Sequence, residues 1–242
     1  MSLTMRTALV SDAGLVRENN EDAAHAGSRL IVVADGVGGQ PTGEVASEIM
    51  VRVLASVDEP AAAAPGGDPA AALRDAVMHA NQHIRNAGRA NRGTSGMATT
   101  VTAIVLDGDR LCIVHVGDSR GYLLHDGDLR QITRDDTYVQ ELVDGGYLTA
   151  AQARRHPQRS LITNAVQGGD LTPATATLPG AAGDRLLLCS DGLSDVVPDE
   201  TIAATLRTYG DPEDCAAQLI KEAYRAGAPD NVTVVVADLV PA

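Results

Sequence analysis

Phenylalanine and tryptophan are both missing from the 242 residues, and tyrosine occurs only five times. A core of this size must then be built from Val, Ile, Leu, Ala and Met, and stacking of aromatic rings on bases or sugars is not what the chain is equipped for. Basic residues are also scarce: 19 Lys and Arg face 32 Asp and Glu, for a formal net charge of −13. That balance opposes binding to nucleic acid or to an anionic membrane surface and suits a site that gathers cations; direct membrane insertion is not expected either. Cysteine is limited to Cys112, Cys189 and Cys215, an odd number with no CxxC spacing and with two members inside apolar runs. They read as buried, reduced core residues of a reducing compartment rather than as a disulfide or zinc set. No apolar run approaches the length of a bilayer crossing, and the N-terminus lacks a signal-peptide pattern. The expected location is cytoplasmic, or the cytosolic face of the membrane if the chain belongs to a longer anchored protein.

What is present is organised in blocks. Residues 5–12 and 29–34 read as strands rich in branched aliphatics. Residues 42–57 follow with Val45, Ile49, Val53 and Leu54 at helical spacing behind Thr42 as N-cap. A turn-rich, low-complexity loop at 58–69 leads to a second helix over about 70–90. From 97 to 132 short strands are broken by "DGD" turns at 107–109 and 126–128, the pattern of a meander of antiparallel hairpins. A polar helical stretch at 135–156 is punctuated by Gly145 and Gly146, and strands at 184–190 and 232–239 enclose helices near 199–208 and 212–226. Strand runs and helix runs are segregated, so the expected class is α+β, two antiparallel sheets with helix pairs outside, in one domain spanning 1–242.

Four aspartates share one local context. Asp35 in "VVADG", Asp118 in "VHVGDSR", Asp191 in "LLLCSDG" and Asp230 in "APDNVTVVV" each stand at the edge of an apolar strand pattern beside glycine or asparagine. If those strands build one core, the carboxylates converge at one rim, where their repulsion demands cations. Oxygen-only ligation points to magnesium or manganese rather than zinc or copper. A lone Asp-Gly is ordinarily a turn, which is our reading of both "DGD" sites, and on the residues alone the turn and metal-site readings of the four aspartates both stand.

The ordered motifs "GLVRENNEDA", "VVADGVGG", "GMATTVTAIV", "VHVGDSRGYLL", "QITRDDTYVQELVDGG", "HPQRSLITNAV", "LLLCSDGLSD" and "DNVTVVV" resemble the metal-dependent protein phosphatase family (type 2C), in its bacterial serine/threonine branch, over residues 10–238. The resemblance implies a β-sandwich flanked by helix pairs, with two Mn2+ or Mg2+ ions, and a site for a third, in a channel at one edge. Asp35 would bridge the metals, with the Gly36 carbonyl completing the second site and Asp191 and Asp230 holding the first. Glu21 and Asp22 match positions that bind or orient metal-bound waters, and Asp118, Asp191 and Ser160 match the third site. Arg17 matches the arginine that clamps the substrate phosphate, a task for a planar two-pronged donor.

The activity so implied is hydrolysis of phosphoserine and phosphothreonine by attack of a metal-bridging hydroxide, with no phosphoenzyme, on phosphorylated proteins that include bacterial Ser/Thr kinases and their substrates, by a monomer. Consistently, Cys112 and Cys189 lack the CxxxxxR context of a cysteine phosphatase. Some members, notably animal ones, carry a histidine after the Asp-Gly pair as proposed general acid; here Val37 stands there, and neither His115 nor His156 has support as a replacement. Residues 135–156 match the family's mobile flap, with Thr137, Gly145 and Gly146 as hinges or metal-coupled elements. The cluster "ARRHPQR" at 153–159 reads as a solvated helix end that could also receive phosphorylated segments. Two competing readings remain at this stage: a catalytically inactive metal-binding signalling module on the same fold, and a phosphatase dedicated to one phosphorylated regulator such as an anti-sigma-factor antagonist.

Overall fold

The runs "LIVVA" at 30–34 and "RLLLC" at 185–189 are buried at every position, and the reason lies in the layering. In the computed structural model, which describes residues 2–37, 42–58, 68–90 and 96–242, the chain begins with β1 (Leu3–Asp12), β2 (Ala23–Ala26), β3 (Leu30–Ala34) and β4 (Gly36–Val37). Helices α1 (Thr42–Ala55) and α2 (Pro69–Ala90) follow, then β5 (Ala98–Thr99), β6 (Val101–Asp107), β7 (Arg110–Val116), β8 (Arg120–His125) and β9 (Asp128–Gln131). The short helices α3 (Tyr138–Asp144) and α4 (Ala150–Ala153) precede β10 (Ala174–Pro179) and β11 (Arg185–Cys189). The chain closes with α5 (Asp191–Ser194), α6 (Asp199–Thr208), α7 (Pro212–Arg225) and β12 (Val232–Pro241).

One sheet runs β1-β12-β11-β8-β9 and the other β10-β7-β6-β3-β2, while β4 and β5 pair apart. The strand pairs are antiparallel, and β1 is matched to β12 from Leu3 opposite Pro241 to Asp12 opposite Val232. Alternation along each strand then divides the core into three layers. Val32 of β3 and Val114 of β7 pack with Met50, Leu54, Leu73 and Val77 of α1 and α2. Ile31, Val33, Ile104, Ile113, Leu186, Leu188 and Val235 meet between the sheets. Leu187, Val234 and Val236 pack under Ile202, Leu206, Leu219 and Ile220 of α6 and α7. Both faces of each inner strand are covered, so these strands read as unbroken apolar runs, and each fully buried Val, Ile or Leu contributes about 1.5–3 kcal/mol. Tyr122 is the sole aromatic among the largest fully buried side chains of the described residues. The three cysteines are buried and unbridged, as expected.

The α+β class, the flanking helix pairs and the two hairpin turns agree with the sequence reading. The α1 face is rotated: Ala46, Ile49, Met50 and Leu54 are buried, while Val45 and Val53 are only partly covered. The loop expected at 58–69 lies largely outside the described residues. The meander needs correction. β6-β7 and β8-β9 are both hairpins, but they belong to opposite sheets, so the chain changes sheets at residues 117–119. Gly117 makes that crossing possible, with φ at +103°, and a Cβ there would stand 2.6 Å from Thr100 Cγ2. Strands β2 and β10 and helix α5 had no counterpart in the sequence reading; β2 and α5 are four residues each, and β10 is mostly exposed.

Gly117→Ala combines a disfavoured backbone conformation with a clash against Thr100, just before β6. It should lower unfolding stability in urea by roughly 2–4 kcal/mol, and a change within experimental error would contradict this account of the crossing.

Candidate metal centre

The strands deliver their carboxylates to one end of the sandwich. Asp35 stands between β3 and β4, Asp118 at the sheet crossing after β7, Asp191 at the start of α5 after β11, and Asp230 just before β12. A cleft of about 330 Å³ at that end is lined by Arg17, Glu21, Asp35, Gly36, Val37, Asp118, Ser160, Asp191 and Asp230, with Glu18, Asn19, Ile162 and Asn231 completing the wall. Eight of the residues singled out from the sequence as ligands or clamp therefore share one cavity. Asp22 does not line it. It sits behind the wall, where Ser190 Oγ donates to Asp22 Oδ2 at 2.8 Å.

Local structure holds each donor in place. The Asp35 amide donates to Thr100 Oγ1 at 2.9 Å, and the Asp35 carbonyl accepts from Thr100 N at 2.8 Å and Thr99 Oγ1 at 2.9 Å. Gly36 is required by close approach: a Cβ would lie 2.4 Å from the Gly43 carbonyl carbon and 2.7 Å from the Glu21 oxygen. This is what admits the start of α1 against the end of β3. The turn expected of Gly38 and Gly39 lies outside the described residues. Asn231 fixes the loop that carries Arg17 and Glu21: its Oδ1 accepts from Glu21 N at 2.8 Å, and its Nδ2 donates to the carbonyls of Asn19 at 2.7 Å and Ala13 at 3.1 Å.

The electrostatics are those of a crowded acidic site. Burial pushes the Asp35 carboxyl well above the usual range, with Asp22, Asp191, Asp118 and Asp230 adding to it. Asp191 is raised in the same way, first by burial and then by Asp118 and Asp195. Asp118 is pushed up to about 7 by burial, Asp135 and Asp195, and Asp22 to about 6 chiefly by burial. Oδ1 of Asp118 and Oδ1 of Asp22 are buried without a hydrogen-bond partner. Unpaired, desolvated oxygens among like charges fit hard divalent cations, which satisfy lone pairs and repulsion together. Among the described residues no three acidic, histidine or cysteine side chains close around a single point.

Two arrangements were not legible in the sequence. Asp195 lies one helical turn after Asp191, and its Oδ2 accepts from Ser160 Oγ at 3.0 Å and pairs with Arg159 Nε at 3.4 Å. The i,i+4 spacing in "SDGLSD" was the signal for it. Arg17 is more than half exposed and engages Asp230 Oδ2 at 2.7 Å, so the expected clamp and an expected ligand are paired. The cluster at 153–159 is not simply solvated either, since Arg154 pairs with Asp199 at 2.6 Å and Arg159 with Asp195. Thr137 caps α3 by accepting from Gln140 N. Among the described residues no histidine lines the cleft, and Val37 does.

A carboxyl whose pKa is raised by folding costs nothing below about pH 4, where it is protonated in folded and unfolded chains alike; the penalty grows as pH rises through the folded value. For Asp118 that window runs from about 4 to about 7. In chelator, Asp118→Asn should therefore raise Tm at pH 8 by roughly 5 °C and change it little at pH 4. Equal effects at the two pH values, read by calorimetry, would count against the repulsion.

Comparison with known proteins identifies the family. The family model for protein phosphatase 2C matches residues 16–222. The serine/threonine protein phosphatase PstP of Mycobacterium tuberculosis is 52% identical over 242 residues, covering 99% of this chain and 46% of that protein, so the chain spans about half the length of the curated relatives it matches first. The serine/threonine phosphatase stp of Listeria monocytogenes is 33% identical over 235 residues, covering 94% of this chain and 93% of that protein. The crystal structure of M. tuberculosis PstP/Ppp superposes with a TM-score of 0.94 at 51% identity, covering 98% of this chain and all of that one. The PstP catalytic domain in complex with two manganese ions gives 0.92 at 49% identity, covering 99% of this chain and 100% of that one. The chain belongs to the protein phosphatase 2C family.

Proposed function

We propose that this chain is a manganese- or magnesium-dependent phosphatase of phosphoserine and phosphothreonine in proteins, with residues 1–242 as one catalytic domain and 135–156 as its flap. The observation that carries the reading is the meeting of Asp35, Asp118 and Asp191, each raised first by burial and then by neighbouring carboxylates, in the same cleft as Arg17. The relatives are named as serine/threonine phosphatases, which favours this reading over an inactive module on the same fold.

Asp35, the Gly36 carbonyl, Asp191 and Asp230 would hold two cations, and Asp118 with Asp191 and Ser160 a third. When bound, divalent ions acidify a water and neutralise phosphoryl oxygens. Arg17 orients the phosphate. One of its arms rests on Asp230, which aims the guanidinium, and its remaining N–H groups are available at the cleft wall. Glu21 is fixed through its own amide by Asn231, and burial raises its carboxyl, so it suits a proton-holding or water-orienting task. Val37 can move no proton, so the departing oxygen would take its proton from water or from another group of the cleft, such as Glu21. Phosphorylated Ser/Thr kinases and their substrates, met by a monomer on the cytosolic side of the membrane, are the proposed partners. Among the described residues no helix is long and apolar enough to cross a membrane.

Phosphate release from a phosphothreonine peptide should require manganese and stop on chelation; no manganese-dependent turnover by the pure chain would refute the reading. Asp191→Asn should lower kcat at least roughly a hundredfold while circular dichroism stays unchanged. Arg17→Ala should lower kcat/KM by roughly tenfold to a hundredfold, the loss of a charge-assisted contact, and an unchanged kcat/KM would remove the clamp.

A further inference from the structure

His115 lies in β7 opposite Thr102 of β6, almost wholly buried, and both of its ring nitrogens meet oxygen. Nδ1 is 2.8 Å from Thr102 Oγ1, and Nε2 is 2.9 Å from the carbonyl oxygen of Arg134. The same Thr102 hydroxyl donates to the carbonyl oxygen of Ser119 at 2.6 Å. A carbonyl carries no proton, so Thr102 spends its only hydrogen there and turns a lone pair toward His115. Nδ1 must then donate, and Nε2, facing a second carbonyl, must donate as well. A neutral imidazole has one N–H and one lone pair, and either tautomer would set lone pair against lone pair.

We infer that His115 is a doubly protonated imidazolium in the folded chain, and that it acts as a positioning residue tying the turn that bears Asp118 to the root of the flap. The turn is gripped from both sides. Thr102 holds Ser119, while Gly117 exchanges bonds with Asp136, its amide donating to Asp136 Oδ2 at 3.0 Å and its carbonyl accepting from Asp136 N at 2.7 Å. Asp136 immediately precedes Thr137, the cap of α3.

Burial is the largest influence on His115 and on balance lowers its pKa below the ordinary histidine value, while Asp136, then Asp135, then the backbone of Arg134 and Gly117 act in the opposite direction; the imidazolium is favoured instead by the oxygen that faces each ring nitrogen. The neighbouring charges identify the counter-ion. Asp135 is already met by Arg120, at 2.6 Å from Nη2 and 2.9 Å from Nε. The Arg134 guanidinium is engaged by Asp144, and its nearest approach to Asp136 is 3.9 Å. Asp136 otherwise accepts only from neutral groups, the Gly117 amide and Asn164 Nδ2 at 3.2 Å. Among the described residues its charge is the one left to balance an imidazolium, acting on His115 through the field and not by a direct hydrogen bond.

The test is the 15N spectrum of the histidine rings in the whole metal-free chain, with His115 assigned through its own backbone resonances so that the assignment needs no variant. Both His115 nitrogens should carry protons from about pH 6 to about pH 7.5, where a free imidazole becomes mostly neutral. A lone-pair nitrogen on His115 in that range would overturn the inference. Thr102→Val removes the acceptor for Nδ1 at nearly constant shape, so His115 should then lose a proton within the same range; a spectrum like the parent's would also overturn it. The positioning role rests on the phosphatase reading and is read separately. With manganese, Thr102→Val should lower kcat for p-nitrophenyl phosphate roughly tenfold at unchanged KM, and the parent's kcat would exclude it. Failure of the phosphatase reading would appear instead as an inactive parent with the doubly protonated spectrum intact.

Discussion

Several carboxylates held close together and out of water are what the rest of this structure is arranged around. Burial raises the proton affinity of Asp35, Asp118 and Asp191, and neighbouring carboxylates add to it: Asp191 and Asp118 act on Asp35, Asp118 on Asp191, and Asp135 and Asp195 on Asp118. Such a grouping is unstable on its own terms, since each charge loses its hydration and gains only repulsion. It persists because the strands that present it are locked on both faces. The ends of β3, β7 and β11 and the start of β12 cannot splay apart without exposing the three apolar layers behind them. The energy of the core thus holds together a site that favours cations.

Between the core and the cleft lies a layer of small hydroxyl and amide groups. Thr99 and Thr100 grip the backbone of Asp35, Ser190 holds Asp22 and accepts from the Thr233 amide, and Asn231 fixes the loop of Arg17 and Glu21. Thr100 and Ser119 bond to each other at 2.7 Å, linking the Asp35 and Asp118 segments. These groups satisfy buried backbone atoms where the strands end, and they fit because they are small. A chain without Phe or Trp has room for such a layer beside tightly packed aliphatics, and it is through Thr102 that the same layer reaches His115 and the flap root.

Much of this was open to reading along the chain. The aliphatic runs of β3, β11 and β12 mark strands because both of their faces are covered, and the spacing of apolar residues in α1, α2 and α7 marks helices. Asp35, Asp118, Asp191 and Asp230 stood out because aspartate is a poor strand residue in otherwise apolar contexts. The β2 and β10 edges left little trace, β2 because it is only four residues long and β10 because it is largely exposed. Asp195 was hidden because α5 is a single turn, too short to impose a visible period. The hairpins β6-β7 and β8-β9 were plain from their turns, yet nothing in local pattern says that consecutive hairpins belong to different sheets.

Side-chain chemistry and periods of two or 3.6 residues were enough to mark the buried strands and the long helices, the burial of the cysteines, the acidic character and which aspartates stand at strand ends. Tertiary structure alone decided the crossing at Gly117, the partnership of Arg17 with Asp230, the seat of Asp195 beside Ser160 and Arg159, and the placement of Asp22 behind the cleft. Each of those joins residues far apart in the chain or turns on a backbone angle that neighbours do not dictate. Charge state belongs to the same class: whether an aspartate is raised or a histidine can donate twice depends on what packs around it, and only the folded chain brings those groups within reach.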